Sequence, residues 1–192
     1  MGKPIYSIPY TGLAREVGNI KGELLTVIES VLDSGRYILG PEVAAFEREF
    51  ADYCRVGLAA GVGNGTCSLY LVLRCLGVGT GDEVITAPNS FIASASSIAL
   101  TGARPVFADI CPDGNMDPEK LEAVITPRTK VVMPVHLTGR PARMREILEV
   151  ARQHKLFVVE DAAQAVGAQL DGKPIGELGD AGCPEEVKGV YD

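Results

Sequence analysis

Two short stretches hold the residue types that chemistry needs. The first, GVGNGTCSL at residues 61–69, has three glycines in five residues, then a threonine and an apolar run. Such a loop before a helix turns backbone N–H groups toward an anion, and the helix dipole favours negative charge there. A plain tight turn is the alternative. The second, FVVEDAAQAVGA at residues 157–168, places Glu160 and Asp161 where an apolar run ends. Open α/β sheets bind ligands at the carboxyl ends of their strands, so an acid there either meets a ligand or caps the next turn. Gln164 follows Asp161 by three positions. One helical turn would let a carboxylate and an amide converge on a small planar group.

The glycine rhythm fails two tests for a dinucleotide fold. The third glycine of G-x-G-x-x-G would fall at Thr66, and the following strand, EVITA, ends in Ala87-Pro88 without the acid that holds a ribose. No G-K-[ST] follows, so the case for a Walker loop is weaker still. A nucleotide-dependent oxidoreductase or epimerase therefore lacks its acid.

The elements around these stretches follow from periodicity. Leu24, Val27, Ile28, Val31 and Leu32 repeat with a helical period and stop at Ser34-Gly35; Val43, Phe46, Phe50 and Tyr53 repeat it after Pro41, a residue suited to a helix's first turn. From Val56 onward short apolar runs alternate with helical patterns. Strands are expected near 56–62, 83–87, 105–108, 130–135 and 156–160, with helices near 66–76, 91–101, 117–126 and 141–154. Asp117-Pro118 is a cap followed by a first-turn proline. VVMPV and LFVV are continuous apolar runs, as in strands buried on both faces of a parallel sheet. The alternation predicts an α/β layered domain. Residues 172–182 look turn-rich and polar.

Composition narrows the function. A net charge of −7 argues against nucleic acid or an anionic membrane surface as the main partner. Five scattered cysteines without C-x-x-C, and only two histidines, argue against a metal cluster or disulfide framework and fit reduced thiols in a cytoplasmic protein. His136, closing a strand, is expected to be a satisfied structural histidine, and His154 to be solvated at a helix end. Asp109 is expected in a turn. MGKPIYSIPY has no apolar signal core, and no run approaches membrane-spanning length.

The segments SGRYILGPEV (34–43), NGT (64–66), GDEVI (81–85), SFIASA (90–95), ITPRTK (125–130), PVHLTG (134–139), VVEDAAQAVGA (158–168) and GDAGC (179–183) stand in one order and spacing. Together they resemble the DegT/DnrJ/EryC1/StrS family of pyridoxal-phosphate-dependent sugar aminotransferases. The resemblance implies the three-layer αβα large domain of type I aminotransferases, with a mainly parallel sheet incomplete at the carboxyl end. It implies a helical segment over 1–55 packing on that domain, a cofactor domain over 56–183, a divergent tail over 184–192, and no small carboxyl-terminal domain. It further implies pyridoxal 5′-phosphate as cofactor, pyridoxamine 5′-phosphate as its amino form, a nucleotide-linked keto-sugar substrate, glutamate as amino donor, and a homodimer. SGRYILG looks more like members acting on 3-keto sugars. By the same resemblance Gly65 and Thr66 bind the phosphate, Phe91 stacks on the ring, Asp161 pairs with the ring nitrogen, and Gln164 bonds the phenolic side. A core position is the alternative for Phe91. Arg36 and Tyr37 would help form the sugar-nucleotide site, or else pack helix to loop. No metal is implied.

The resemblance breaks after Cys183. The family continues as C-F-S-F-x-P-x-K-N-L, whose serine contacts phosphate and whose lysine forms an imine with the cofactor. Here Glu185 stands at the serine position and Val190 at the lysine position. Lys188 is two places early and a poor candidate. The expectation is a truncated copy lacking the imine lysine. A cofactor-binding module without transaminase activity is the alternative, as is a relative that removes a sugar hydroxyl with a histidine in the lysine's place, although no histidine stands near 190.

Overall fold

The computed structural model describes residues 12–184. They divide into two compact units, one ending at Phe46 and one beginning at Glu47. The first contains α1 (Leu13–Ser34), closed by Gly35 in the left-handed conformation (φ 65°), and the start of α2 (Pro41–Cys54). No residue of α1 is buried. No helix among the described residues is long and apolar enough to cross a membrane.

The second unit continues through α3 (Gly65–Cys75), β1 (Glu83–Thr86), α4 (Ile92–Leu100), β2 (Arg104–Phe107), α5 (Pro118–Leu121), β3 (Thr129–Met133), α6 (Met144–His154), β4 (Phe157–Asp161), the hairpin β5 (Gln169–Leu170) and β6 (Lys173–Pro174), and β7 (Ala181–Cys183). Five parallel strands form one sheet in the order β2-β1-β3-β4-β7. The two-residue pleat sorts their side chains to two faces. Ile85, Val132 and Val158 join Met144, Ile147 and Ala151 of α6 and Leu121 of α5 on one side. Val84, Val131, Met133 and Val159 join Leu69 and Leu73 of α3 and Ile98 of α4 on the other. This is the three-layer α/β arrangement that the continuous apolar runs require. Asp117 caps α5 as expected, accepting from the Glu119 N–H.

The expected strand at 56–62 does not form. A strand needs a partner, and no described strand pairs with this segment. Its Gly61 N–H instead donates to the Glu47 carboxylate at 2.8 Å, and Leu58 is exposed. The turn-rich stretch 172–182 also contains β6, which pairs with β5 just before it, and most of β7, which pairs with the end of β4.

The amino edge of the sheet is held by one buried acid. Glu83 accepts from Thr126 Oγ1 (2.6 Å) and pairs with Arg128 and Arg104, each at 2.7 Å. The Thr126 hydroxyl foremost, then the two guanidinium groups, overcome burial and hold its carboxyl at about 2, against an ordinary 4.5. A depressed folded value stabilises the fold above the unfolded value and stops doing so as pH falls through the folded one. Glu83→Gln is therefore expected to cost about 2 kcal/mol near neutrality. Parallel thermal melts of both proteins should show that gap narrowing below about pH 4.5 and closing near pH 2.

Candidate active site

From β1 the chain crosses to β2 on one side, and from β3 it proceeds through β4 to β7 on the other. Their carboxyl ends bound the crevice in which open α/β sheets bind ligands. Thr86 Oγ1 donates to the Met133 carbonyl across it (3.0 Å). Asp161 is the last residue of β4, and its main chain is fixed on both sides. Its N–H donates to Pro134 O, its C=O accepts from the His136 N–H, and it stands in register with Cys183 of β7. Its side chain is 5% exposed. Ser94, on the first turn of α4, donates to Asp161 Oδ2 at 2.7 Å, and Ser90 Oγ lies 2.9 Å behind Ser94 Oγ.

The glycine loop comes to the same edge. Asn64 caps α3 by accepting from the Cys67 N–H (2.9 Å), and its carbonyl accepts from the Ser68 N–H (3.0 Å). Among the described residues the Gly65 and Thr66 N–H groups have no protein acceptor. These are two of the donors that a helix start leaves for an anion. Further along α3, Leu69 and Leu73 share a buried cluster with Cys183, which joins this helix to the Asp161 end of the sheet. Burial pushes the Cys183 thiol up to about 11, so it is inert. Phe91, at the N-cap of α4 and 64% exposed, is not a core residue.

Gln164 is placed differently from expectation. Residues 162–168 form successive turns, Ala165 N–H to Ala162 O and Ala168 N–H to Ala165 O, rather than a helix. The Gln164 side-chain oxygen accepts from the Thr138 N–H at 2.7 Å, with Thr138 held at φ 55°. The amide nitrogen is thereby the donor end.

The pleat separates the two adjacent acids. Asp161 faces α4, whereas Glu160 shares the opposite face with Val158 and is fully buried. Glu160 accepts from the N–H groups of Gly176 (3.0 Å), Leu178 (2.8 Å) and Gly179 (2.7 Å). It also meets His136 Nε2 at 3.0 Å. His136 Nδ1 accepts from the Ala142 N–H (3.0 Å), so the neutral ring carries its proton on Nε2 and donates to Glu160. Burial works to raise the Glu160 value, but the His136 ring and the Gly179 and Gly176 N–H groups outweigh it and leave it lowered. His136 is thus the satisfied structural histidine expected. His154 is not simply solvated: its Nε2 lies 3.2 Å from Glu122. Asp109 stands just after β2 in irregular chain rather than in the turn expected, its carboxylate accepting from the Ile110 N–H and its C=O from the Asp117 N–H.

Arg36 and Tyr37 belong to the first unit, the carboxyl-edge site to the second. Tyr37 Oη donates to Leu32 O (2.9 Å), and the Arg36 N–H donates to Ser34 Oγ. Residues 35–41 and Ala44 line an open concavity of about 580 Å³. Lys188, Glu185 and Val190 lie outside the described residues. No cluster of metal-ligating side chains occurs among the described residues. The donor set fits pyridoxal phosphate: paired amides for an anion, an exposed ring, and a buried carboxylate on one edge.

Sequence reasoning missed Asn64, Ser90 and Ser94. Asparagine directly before an apolar helix was a usable cap signal. Nothing local tied Ser94 to an acid 67 residues away.

A model of the DegT/DnrJ/EryC1/StrS aminotransferase family matches residues 19–184. The chain is 46% identical over 170 residues to the dTDP-3-amino-3,4,6-trideoxy-alpha-D-glucose transaminase of Streptomyces venezuelae, covering 88% of this chain and 45% of that enzyme. Among solved structures, a DegT DnrJ EryC1 StrS aminotransferase from Brucella abortus superposes with a TM-score of 0.89 at 38% identity, over 92% of this chain and 49% of the other. Spr1654 from Streptococcus pneumoniae, in its PLP form, gives 0.79 at 32% identity over 81% of this chain and 44% of the other. The chain spans about half the length of the curated relatives it matches.

Proposed function

The chain belongs to the DegT/DnrJ/EryC1/StrS aminotransferase family, and from that premise we propose that its carboxyl-edge site holds pyridoxal 5′-phosphate for amino transfer to a nucleotide-linked keto-sugar. One observation carries the reading. A buried carboxylate, Asp161, stands on the same sheet edge as two helix-start amides that have no protein acceptor among the described residues. Bound there, the cofactor supplies an electron sink for a developing carbanion. The Gly65 and Thr66 N–H groups would hold its phosphate, helped by the α3 dipole. Asp161 would keep a proton on the ring nitrogen, the charge that makes the ring electron-withdrawing. Phe91 would cover one face of the ring and exclude water, and the Gln164 amide would donate to the phenolic oxygen.

The nucleotide-linked sugar and its 3-keto position are inferred from relatives such as the S. venezuelae 3-amino-sugar transaminase. Glutamate as donor, Arg36 and Tyr37 as sugar-nucleotide contacts, and a homodimer belong to the same reading. The free cysteines among the described residues fit a reducing cytoplasm. A second reading, cofactor binding without turnover by these residues alone, is favoured by Glu185 and Val190 standing at the family's serine and lysine positions.

Titration of the full chain with pyridoxal phosphate, followed by borohydride trapping and peptide mass mapping, tests both. Saturable binding without a trapped lysine is the expected result and supports the second reading. An adduct confined to Lys188 would restore a complete site and overturn the inference about the tail. No binding would overturn the cofactor assignment.

A further inference from the structure

We propose that Ser94 is a positioning residue of this site, backed by Ser90, and that the two hydroxyls aim the Asp161 carboxylate at the ring nitrogen of a bound pyridine. The inference rests on the cofactor reading above.

The polarity of the pair is set by hydrogen count. A carboxylate only accepts, so the single proton of Ser94 is committed to Asp161 Oδ2, 2.7 Å away. The Ser94 oxygen is then the acceptor toward Ser90, 2.9 Å behind it. The chain of donors therefore runs Ser90 to Ser94 to Asp161, and each bond polarises the next.

The other hydroxyls of this helix do something different. Ser96 donates to Ala93 O, Ser97 to Ser94 O, and Thr101, at its end, to Ile98 O. These are the local back-bonds that serine and threonine ordinarily make in helices. Ser94 alone among them reaches across to another element, although it is 1% exposed and an alanine would fill nearly the same space. Main-chain pairing on both sides of β4 already fixes where Asp161 sits. It does not fix the rotation of the carboxylate. Oδ1 receives a long contact from the Ala163 N–H (3.4 Å), and the short, buried Ser94 bond restrains the plane from the Oδ2 side.

The full chain, unchanged and as Ser94→Ala, Ser94→Thr and Ser90→Ala, is titrated with pyridoxal phosphate and with its 1-deaza analogue, in which a C–H replaces the ring nitrogen. Ser94→Ala is expected to weaken pyridoxal phosphate about tenfold, the scale of one hydrogen bond to a charged group, and the deaza analogue less than twofold. Ser94→Thr, which keeps the hydroxyl, should restore pyridoxal phosphate to within about threefold of the unchanged chain. Ser90→Ala leaves the buried bond in place. It should weaken pyridoxal phosphate about threefold with the same selectivity, and it decides the matter if Ser94→Ala does not fold. Equal weakening of both ligands, or none of either, would overturn the role of Ser94 while leaving the cofactor site standing. Failure of the unchanged chain to bind pyridoxal phosphate would overturn the cofactor reading, and this inference with it.

Discussion

Glu160→Ala is expected to lower the melting temperature by about 8–16 °C, the equivalent of roughly 4 kcal/mol in a chain of this size. The side chain is fully buried and receives four donors: three backbone N–H groups between Gly176 and Gly179, and the His136 ring. Truncation leaves all four without a partner, and each unsatisfied donor costs about 1–3 kcal/mol where water cannot reach it. The backbone donors are only part-buried, so water recovers some of that loss and the sum stays well below four full penalties. Glu160→Gln should cost about half as much, because its oxygen can still accept while its NH₂ group faces a donor. Since the acid staples residues 176–179 to β4, the β5–β6 hairpin and the approach to β7 should open first. Thermolysin cleavage near Ile175 and Leu178 should accelerate before the rest of the fold is lost. A loss under about 1 kcal/mol in Glu160→Ala would show that this carboxylate does not hold the hairpin.

That acid and its neighbour mark the limit of what the sequence shows. The run FVVED announces a buried strand, and the strand forms at 157–161. Adjacent acids look alike in one dimension, yet the pleat sends Glu160 toward His136 and Asp161 toward α4. Which face has a ligand crevice depends on the strand order, and that is long-range information. The glycine loop was legible because its signal is local, as was the Asp117-Pro118 start. The D-x-x-Q spacing puts Gln164 one helical turn from Asp161, but the chain turns without forming a helix and Thr138, 26 residues earlier, holds the amide. The apolar segment 56–62 has the composition of a strand and lacks only a partner, which composition cannot reveal. β7 has three residues, one of them glycine, and is a strand only because β4 lies beside it.

Asp161→Ala separates the site from the fold. The substitution removes a carboxylate from a position 5% exposed, and its main-chain bonds to Pro134, His136 and β7 remain. The structural loss includes the Ser94 bond, worth about 1–2 kcal/mol, and is offset in part because a buried charge is gone. The melting temperature should therefore fall by no more than about 6 °C. Cofactor binding loses more. A carboxylate facing a protonated ring nitrogen in a buried crevice is a charge pair whose truncation costs about 3 kcal/mol or more, so the affinity for pyridoxal phosphate should fall at least 100-fold. Asp161→Asn keeps the shape and the Ser94 contact but cannot hold a positive charge on the ring. It should bind more tightly than Asp161→Ala, while the absorbance of the bound chromophore shifts because the ring nitrogen is no longer protonated. Comparable losses of folding and binding in Asp161→Ala would mean that this residue supports the sheet edge rather than the ligand. An Asp161→Asn protein with the spectrum of the unchanged chain would remove Asp161 from the ring nitrogen altogether.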